Sequence, residues 1–250
     1  MLSLVPHTAR LPRLPSISRR AQTFGGTPPS SNYSADFANR TDNPLNDGWV
    51  HGGSTGLDWS NVRAGQDTNG GNNAWVAYGT MTGAGTNGNV YDDSIAHLTG
   101  FPADHRVSVT IHKNSPPAGD NYEVELLLRF QITAHSARGY EILINQKNAY
   151  DIQIMRWNGA LNGGTGNTDY TQLTTVTGVL PNDGDVFKAQ VVGKLLNLWL
   201  NATHLLTDFD LDANKGAGAY YSDGQPGIGF YGSIGTDIRF AADSVLIEAL

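Results

Sequence analysis

The chain contains no cysteine, and only four of its 23 acidic residues are glutamates. Without thiols the fold uses neither disulfides nor thiolate-bound metals, and cysteine usage gives no information about the redox compartment. No apolar run approaches the roughly 20 residues of a membrane-spanning helix, so we predict no membrane partner. Positive charge is also scarce: after residue 35 the chain carries 12 basic and 23 acidic residues, a net charge of −11. We predict that this acidic body does not bind nucleic acid, whose phosphates it would repel.

The first 30 residues have the opposite charge. They contain Arg10, Arg13, Arg19 and Arg20, no acidic residue, and five prolines that oppose a helix. The prolines argue against the amphipathic helix of a mitochondrial transit peptide, and the arginines follow the short apolar run instead of preceding it as in a secretory signal. We interpret residues 1–30 as an extended basic arm that docks on other protein subunits; a disordered tail is the alternative.

The rest of the chain shows the alternation of apolar and polar side chains that is typical of β-strands. The clearest stretch, residues 186–209, reads as two strands joined at Gly193-Lys194 and a short third strand. Its second strand includes Trp199, which we expect to lie in the core. About a dozen such segments occur at spacings of roughly 8–12 residues with no convincing helix between them. We therefore predict one all-β domain over residues 31–250, an antiparallel two-sheet sandwich.

The order of the later segments resembles one known fold. The segments are YEVELLLRF at 122–130, GYEILIN at 139–145, AYDIQIMRWN at 149–158, GDVFKAQVVGKLLNLWLNATHLLTDFD at 184–210, GQPGIGFYG at 224–232 and RFAADSVLIEAL at 239–250. This succession resembles the concanavalin A-like jelly roll, in particular its laminin-G-like branch in bacterial and phage proteins. The resemblance implies a jelly-roll sandwich. It leaves the function open, because this fold hosts lectins, hydrolases, lyases and structural modules.

Two glutamates on one strand raise the question of catalysis. Glycosidases of this fold use two acids about 5–5.5 Å apart, typically within Glu-x-Asp-x-Glu. Glu123 and Glu125 share a strand face, but Val124 stands between them and no third acid follows at Leu127. We interpret the pair as a solvated strand face with Arg129 as its neutralising partner, and we predict no catalytic residue. A secreted carbohydrate-active enzyme, either a glycoside hydrolase or a polysaccharide lyase, is the alternative.

Alternating acids suggest one metal site. Asp208, Asp210 and Asp212 would share a strand face, where they would repel one another unless they were solvated or bound a cation. A solvated edge is the first interpretation, and calcium is the alternative. Asp92 and Asp93 form a second candidate pair. No histidine pair has the spacing of a zinc site, and we predict no organic cofactor.

Glycan binding would require exposed aromatic rings beside amide and carboxylate groups. The candidates are Trp157, at a strand end that enters a polar loop, and Asn158, Trp59, Tyr91 and Tyr220. We predict a non-enzymatic structural or adhesive module of a virion or an extracellular surface assembly, held as an oligomer through its arm and presenting glycan-binding loops. A soluble, lectin-like carbohydrate-binding module without an assembly role is a further alternative.

Overall fold

The computed structural model describes residues 32–51, 60–79, 93–116, 121–146, 149–161, 169–232 and 238–250. The basic arm with its four arginines lies outside these residues. Trp59, Tyr91 and Asp92 lie outside them as well, so the predictions made for these residues stay predictions. No helix within the described ranges is long and apolar enough to cross a membrane.

The described residues form fifteen strands and one 3₁₀ turn, at Asn69–Gly71. In chain order the strands are β1 (Tyr33–Asp36), β2 (Val50–His51), β3 (Arg63–Asp67), β4 (Ala74–Tyr78), β5 (Ser94–His97), β6 (His105–Lys113), β7 (Tyr122–Thr133), β8 (Ser136–Asn145), β9 (Asp151–Ala160), β10 (Tyr170–Val176), β11 (Val186–Val192), β12 (Leu195–Leu200), β13 (Thr203–Asp210), β14 (Gln225–Gly232) and β15 (Phe240–Ala249). The described part of the chain contains no α-helix, which confirms the all-β prediction.

The strands form two antiparallel sheets. The eight-stranded sheet has the order β13-β12-β11-β6-β15-β4-β3, with β1 pairing with β15. The seven-stranded sheet has the order β10-β9-β8-β7-β14-β5-β2. The predicted hairpin joins β11 to β12 at Gly193-Lys194 and lies near one edge of the larger sheet. The prediction of an antiparallel two-sheet sandwich is therefore confirmed.

The main core lies between the two sheets. Alternate residues of the central strands point into it, for example Val107 and Val109 of β6 and Leu126 and Leu128 of β7. These side chains are 0–1% exposed. Burying a side chain of this size contributes about 1.5–3 kcal/mol, so the alternation that predicted the strands also supplies the stability of the sandwich.

The seven-stranded sheet is also covered on its other side. We call the face turned away from the eight-stranded sheet its outer face. A second hydrophobic cluster lies there, made of Ile95, Leu127, Phe130, Ile132, Ala137 and Trp157. The outer face of a solvated sheet would carry polar side chains at these positions. This buried outer face is where the acidic residues of β7 and β8 lie.

A β-bulge in β7 interrupts the alternation. The register between β7 and β8 shifts between Leu128 and Gln131, and Arg129 in the bulge has a φ of 50°. Gly139 of β8 lies opposite, and a Cβ at that position would approach the Arg129 carbonyl oxygen to 2.7 Å. The bulge turns Phe130 to the outer face and leaves the Arg129 side chain at the end of the sandwich.

Candidate functional site

Three of the four glutamates of the chain converge on the outer face of the seven-stranded sheet. Glu123 and Glu125 extend from β7, and Glu141 extends from β8, where it pairs with Leu127. Glu141 therefore lies beside Leu127, the position of β7 at which a Glu-x-Asp-x-Glu pattern would have its third acid. Glu125 is 0% exposed and Glu141 is 5% exposed. We call Glu123, Glu125, Glu141 and the nearby Asp93 the acid cluster.

The members of the acid cluster differ in their partners. Asn145 donates a hydrogen bond from Nδ2 to Oε1 of Glu123, and Trp157 donates one from Nε1 to Oε2 of Glu141. Both carboxylate oxygens of Glu125 are buried and have no hydrogen-bond partner among the residues that the structure describes. Gly229 of β14 provides the space beside Glu125, because a Cβ there would lie 2.0 Å from Oε2. The strand next to β7 is therefore shaped around this carboxylate.

Burial and mutual repulsion shift the acid cluster toward its protonated form. Burial raises the pKa of Glu125 well above its usual value, and the charges of Glu141, Asp93 and Glu123 raise it further. Burial is also the largest reason for the raised pKa of Glu123, followed by repulsion from Asp93 and Glu141. Burial and Asp93 raise the pKa of Glu141 to about 8, although the Trp157 N–H opposes this change.

The sequence-based interpretation of this strand face is wrong on two points. The face is not solvated throughout, because Glu125 and Glu141 are buried on it, whereas Glu123 is half-buried. Arg129 does not neutralise the glutamates, because the β-bulge directs its guanidinium to the end of the sandwich. There it donates from Nη2 to Asp104 at 2.8 Å, from Nη1 to the Tyr220 hydroxyl at 2.6 Å, and from Nε to the Ala103 carbonyl at 2.9 Å.

The prediction that Trp157 is exposed is also wrong. Trp157 is only 4% exposed, and its ring packs edge-on against Tyr170 at a centroid distance of 5.2 Å. The reason is that β9 does not end at this residue but continues to Ala160, and β10 pairs beside it with Tyr170 opposite Trp157. Trp157 therefore positions Glu141 and is not available as a sugar-stacking surface.

Two other glycan-binding candidates lie near each other at one end of the sandwich. Asn158 accepts a hydrogen bond from Arg156 Nε at 2.9 Å, and Arg156 also reaches the carbonyl of Ala219, the residue before Tyr220. Tyr220 is half-buried, and its hydroxyl donates to the Gly193 carbonyl at 2.7 Å. The ring of Tyr220 is thus fixed by hydrogen bonds at its far end.

Next to Tyr220 lies a group of side chains that we call the tyrosine rim: Tyr221, Arg138, Asp223 and Gln131. Arg138 donates to both oxygens of Asp223, at 3.0 Å each, and its guanidinium lies 5.2 Å from the centre of the Tyr221 ring. Gln131 completes the group by accepting from Arg138 Nε at 3.0 Å. The side chains of Arg138 and Asp223 are 30% and 64% exposed. The polar groups of the rim are therefore accessible, while Tyr221 is half-buried and packs on one side against the main core.

Trp199 is not a core residue, contrary to the prediction. It is half-buried on the outer face of the eight-stranded sheet, where its strand neighbours are Lys188 and His204. The Lys188 ammonium lies 4.6 Å from the centre of a ring of Trp199, and the His204 ring lies at the same distance. Strand alternation directs Leu196 and Leu198 inward and Trp199 outward.

The three aspartates proposed as a calcium site do not share a strand face. Asp208 lies in an irregular part of β13 with a φ of 49°, and Asp212 lies in the turn that follows the strand. Asp208 exchanges hydrogen bonds with Asn197, while Asp210 and Asp212 pair with Lys194 and Lys215, respectively. The irregularity separates the carboxylates, and each already has a partner.

Two other groups of described residues place three possible metal ligands within 4.8 Å of one another. One is Asp93, Glu123 and Glu125 of the acid cluster. The other is His112 of β6, Asp243 of the neighbouring β15, and Asp183 in the turn before β11. In the second group His112 already has an ionic partner, because its Nε2 lies 2.8 Å from Oδ2 of the buried Asp67.

Comparison with known proteins identifies the fold. No protein-family model and no curated protein sequence matches the chain. A solved structure described as "Prominent members of the human gut microbiota express endo-acting O-glycanases to initiate mucin breakdown" superposes with a TM-score of 0.53, at 14% identity, covering 87% of this chain and 98% of that one. The fold is that of a concanavalin A-like jelly roll.

Other solved structures align at lower similarity. Carbohydrate-binding module CBM66 from Bacillus subtilis gives a TM-score of 0.44 at 13% identity, covering 84% of this chain and 94% of that one. A mixed-linkage glucan GH16 protein from Bacteroides ovatus gives 0.46 at 14% identity, with 86% and 96% covered. At such identities the likeness concerns the fold alone, so the function has to be argued from the residues of this chain.

Sequence reasoning missed Glu141 of the acid cluster and both Arg138 and Asp223 of the tyrosine rim. Glu141 stands between Tyr140 and Ile142, and an acid at such a position in a strand normally faces solvent. This local pattern does not indicate that the pairing of β8 with β7 places Glu141 beside Glu125. Arg138 and Asp223 are 85 residues apart, and only the path of the chain around the end of the sandwich brings them together.

Proposed function

We propose that this chain is a non-enzymatic glycan-binding module that binds its ligand at the tyrosine rim. The observation that carries the proposal is the accessible group formed by Tyr221, Arg138, Asp223 and Gln131 at one end of the sandwich. A sugar presents an apolar C–H face and a ring of hydroxyls, which match an aromatic face and a set of charged hydrogen-bonding groups. The rim offers both within one surface.

The rim is preorganised in the free protein. Tyr221 donates its backbone N–H to the Tyr140 hydroxyl at 3.0 Å, and the rings of these two residues lie 5.9 Å apart. The doubly hydrogen-bonded pair of Arg138 and Asp223 holds the polar groups in place. A ligand therefore loses little affinity to the ordering of side chains when it binds.

A glycan array followed by calorimetric titration with the best-bound glycan tests the proposal. We expect Tyr221→Ala to weaken binding about tenfold, because an aromatic contact is worth about 0.5–1.5 kcal/mol beyond its buried area and about 1.4 kcal/mol corresponds to a factor of ten. Arg138→Ala should weaken binding by a similar factor. Thermal unfolding of each variant confirms that the sandwich is intact.

Trp199→Ala is the matched control, since Trp199 is a half-buried aromatic residue on the other sheet. It should leave the affinity unchanged. Loss of binding in Trp199→Ala with normal binding in Tyr221→Ala would contradict the assignment to the rim. Failure of the wild-type chain to bind any glycan would contradict the proposed function itself.

A second candidate function is glycoside hydrolysis by the acid cluster. It is favoured by the short separation of the Glu123 and Glu125 oxygens, which lie within 4.8 Å of each other, and by their raised pKa values. The enclosure of Glu125 disfavours it, because a catalytic carboxylate has to touch the substrate. Release of reducing ends from any polysaccharide, lost in Glu125→Gln, would establish hydrolysis over simple binding.

The proposal includes a place for the module in a virion or an extracellular surface assembly, held by the basic arm. It is supported by the charge contrast between the arginines of residues 1–30 and the acidic body. The test compares the oligomeric state and the protease sensitivity of the full chain with those of a chain beginning at Ser30. An arm protected in an oligomer, and monomers on its removal, are the expected results. A readily cleaved arm on an unchanged monomer would contradict this part of the proposal.

A further inference from the structure

We infer that Asp93, Glu123 and Glu125 form a binding site for one divalent cation of the Ca²⁺ type on the outer face of the seven-stranded sheet. This inference does not depend on glycan binding. It goes beyond the calcium site considered from the sequence at Asp208–Asp212, because it involves different strands and an enclosed position.

The carboxylates of Asp93, Glu123 and Glu125 lie close enough together to hold one ion. One carboxylate oxygen from each of the three residues lies within 4.8 Å of the other two. Three atoms with such separations can all lie within about 2.8 Å of one central point, and Ca²⁺–oxygen distances are 2.3–2.6 Å, so a small movement of the side chains suffices. The donor set consists only of carboxylates, which hard cations prefer and zinc or copper do not.

The Glu125 carboxylate is buried among other acids and needs a positive partner. This residue is 0% exposed, and neither of its oxygens accepts a hydrogen bond from the described part of the chain. Ionised carboxylates without a partner are very costly to bury, so natural structures pair them, protonate them or coordinate them to metals. Among the described residues, the charged groups that act on Glu125 are Glu141, Asp93 and Glu123, which are all acidic. A bound cation would supply the missing positive charge.

The neighbouring strand β14 leaves space for the Glu125 carboxylate. Gly229 of β14 pairs directly with Glu125, and any side chain at position 229 would collide with Oε2 at 2.0 Å. The glycine therefore keeps space for the carboxylate between β7 and β14. On the other side, hydrogen bonds from the amides of Asn145 and Asn121 hold the Glu123 carboxylate in place beside Glu125.

The inference predicts an unusual reversal of stability. With no cation present, Glu125→Gln should be at least as stable as the wild type, because it replaces a buried carboxyl that burial and its acidic neighbours hold in the protonated form with a neutral amide. With Ca²⁺ present, the wild-type chain should be the more stable of the two. At a free Ca²⁺ concentration about 100 times the Kd, its Tm should rise by roughly 5–10 °C, whereas the Tm of the variant should rise little.

The experiment measures thermal unfolding of the full chain in EDTA, Ca²⁺ and Mg²⁺, together with calorimetric Ca²⁺ titration. Glu248→Gln is the control, because Glu248 pairs with Arg106 at 3.0 Å on the other sheet. We expect one Ca²⁺ per chain, affinity reduced at least tenfold in Glu125→Gln, and no change in Glu248→Gln. Mg²⁺ should bind more weakly, since it requires an octahedral site and retains water.

Each other outcome would overturn the inference. If no cation binds and Glu125→Gln is the more stable chain in every buffer, protons alone neutralise the cluster. If Ca²⁺ binds equally well to Glu125→Gln, the site lies elsewhere in the chain. If Mg²⁺ binds more tightly than Ca²⁺, the assignment to a calcium-type ion is wrong. Loss of glycan binding alone would not affect the inference, because the tyrosine rim shares no residue with this site.

Discussion

Arg129 and Glu125 lie four residues apart on β7, and both are enclosed, at 1% and 0% exposure. Their surroundings are opposite. The guanidinium of Arg129 donates hydrogen bonds to Asp104, to the Tyr220 hydroxyl and to two backbone carbonyls, those of Ala103 and Tyr221. Within the described ranges of the chain, Glu125 has no hydrogen-bond partner at either oxygen.

The difference between these two residues separates a structural role from a binding role. A buried charge whose nitrogens all have hydrogen-bond partners holds the fold in one arrangement, as Arg129 does beside the segment before β14. A buried charge without partners lowers the stability of the empty fold. We interpret the second situation as the sign of a ligand, and the cation inferred above is the ligand that the chemistry of Glu125 favours.

The largest effect on stability should come from Arg129, whose guanidinium has hydrogen-bond partners. Arg129→Met keeps much of the side-chain length but removes every hydrogen bond of the guanidinium and leaves its partly buried acceptors without this donor. We expect a loss of about 3–5 kcal/mol in the free energy of unfolding, measured by urea denaturation. Arg138→Met is the control, because its ion pair with Asp223 is partly exposed, and it should cost less than about 1 kcal/mol. Equal losses in the two variants would break the comparison.

A smaller effect should come from His112, a buried cation that has partners. Burial alone would lower the pKa of His112, but bonding to Asp243 and Asp67 outweighs it, so the pKa is raised above 6.5. Burial would raise the pKa of Asp67, yet hydrogen bonds from His112, Asn114 and Asn69 lower it below 3.8. The pair therefore stabilises the fold most between about pH 4 and 6.5.

The expected result follows from these two shifts. The stabilisation from protonated His112 is fully present below pH 6.5 and is lost as the pH rises through the raised pKa, and that from Asp67 is lost as the pH falls below 3.8. His112→Gln should therefore cost about 1–3 kcal/mol at pH 5.5 and less at pH 9, by urea denaturation at both values. A cost that grows from pH 5.5 to pH 9 would show that His112 is held neutral.

The smallest effect should come from the edge of the acid cluster. Trp157→Phe keeps the aromatic packing and removes the N–H that Trp157 donates to Glu141. That N–H lowers the pKa of Glu141, which burial holds at about 8, so its loss should raise this pKa further. The variant should lose about 1 kcal/mol at pH 6, where Glu141 is protonated, and more above pH 8. Identical losses at both pH values would mean that Glu141 does not ionise in the folded chain.

The strands and their buried faces could be predicted from the sequence, because alternation is a local property. The segment identified at 122–130 lies within β7 (Tyr122–Thr133), and the alternation placed Glu123 and Glu125 on one face. The turn at Gly193-Lys194 was predicted from the same local pattern. For such elements the chemistry of neighbouring residues determines the backbone.

The features that decide function depend on contacts between distant segments. The bulge at Arg129 shifts the register of β7 against β8, and no single residue of the sequence indicates it. It turns Arg129, the expected partner of Glu125, toward Asp104 instead. Trp157 and Trp199 exchanged their predicted roles, since burial of an outer face depends on what covers it. The acid cluster required the register of β7 against β8, which brings Glu141 beside Glu125.

The most direct test uses the small number of glutamates. With ¹³C at the carboxyl carbon of glutamate, the chain should give four resonances, from Glu123, Glu125, Glu141 and Glu248. Substitution of each glutamate by glutamine assigns them. Addition of Ca²⁺ at neutral pH should move the Glu123 and Glu125 resonances toward the ionised position with saturation at one ion per chain, while Glu248 stays in place. If the Glu123 and Glu125 resonances do not move at any Ca²⁺ concentration, the unpaired carboxylate is a protonated core residue and the cation site does not exist.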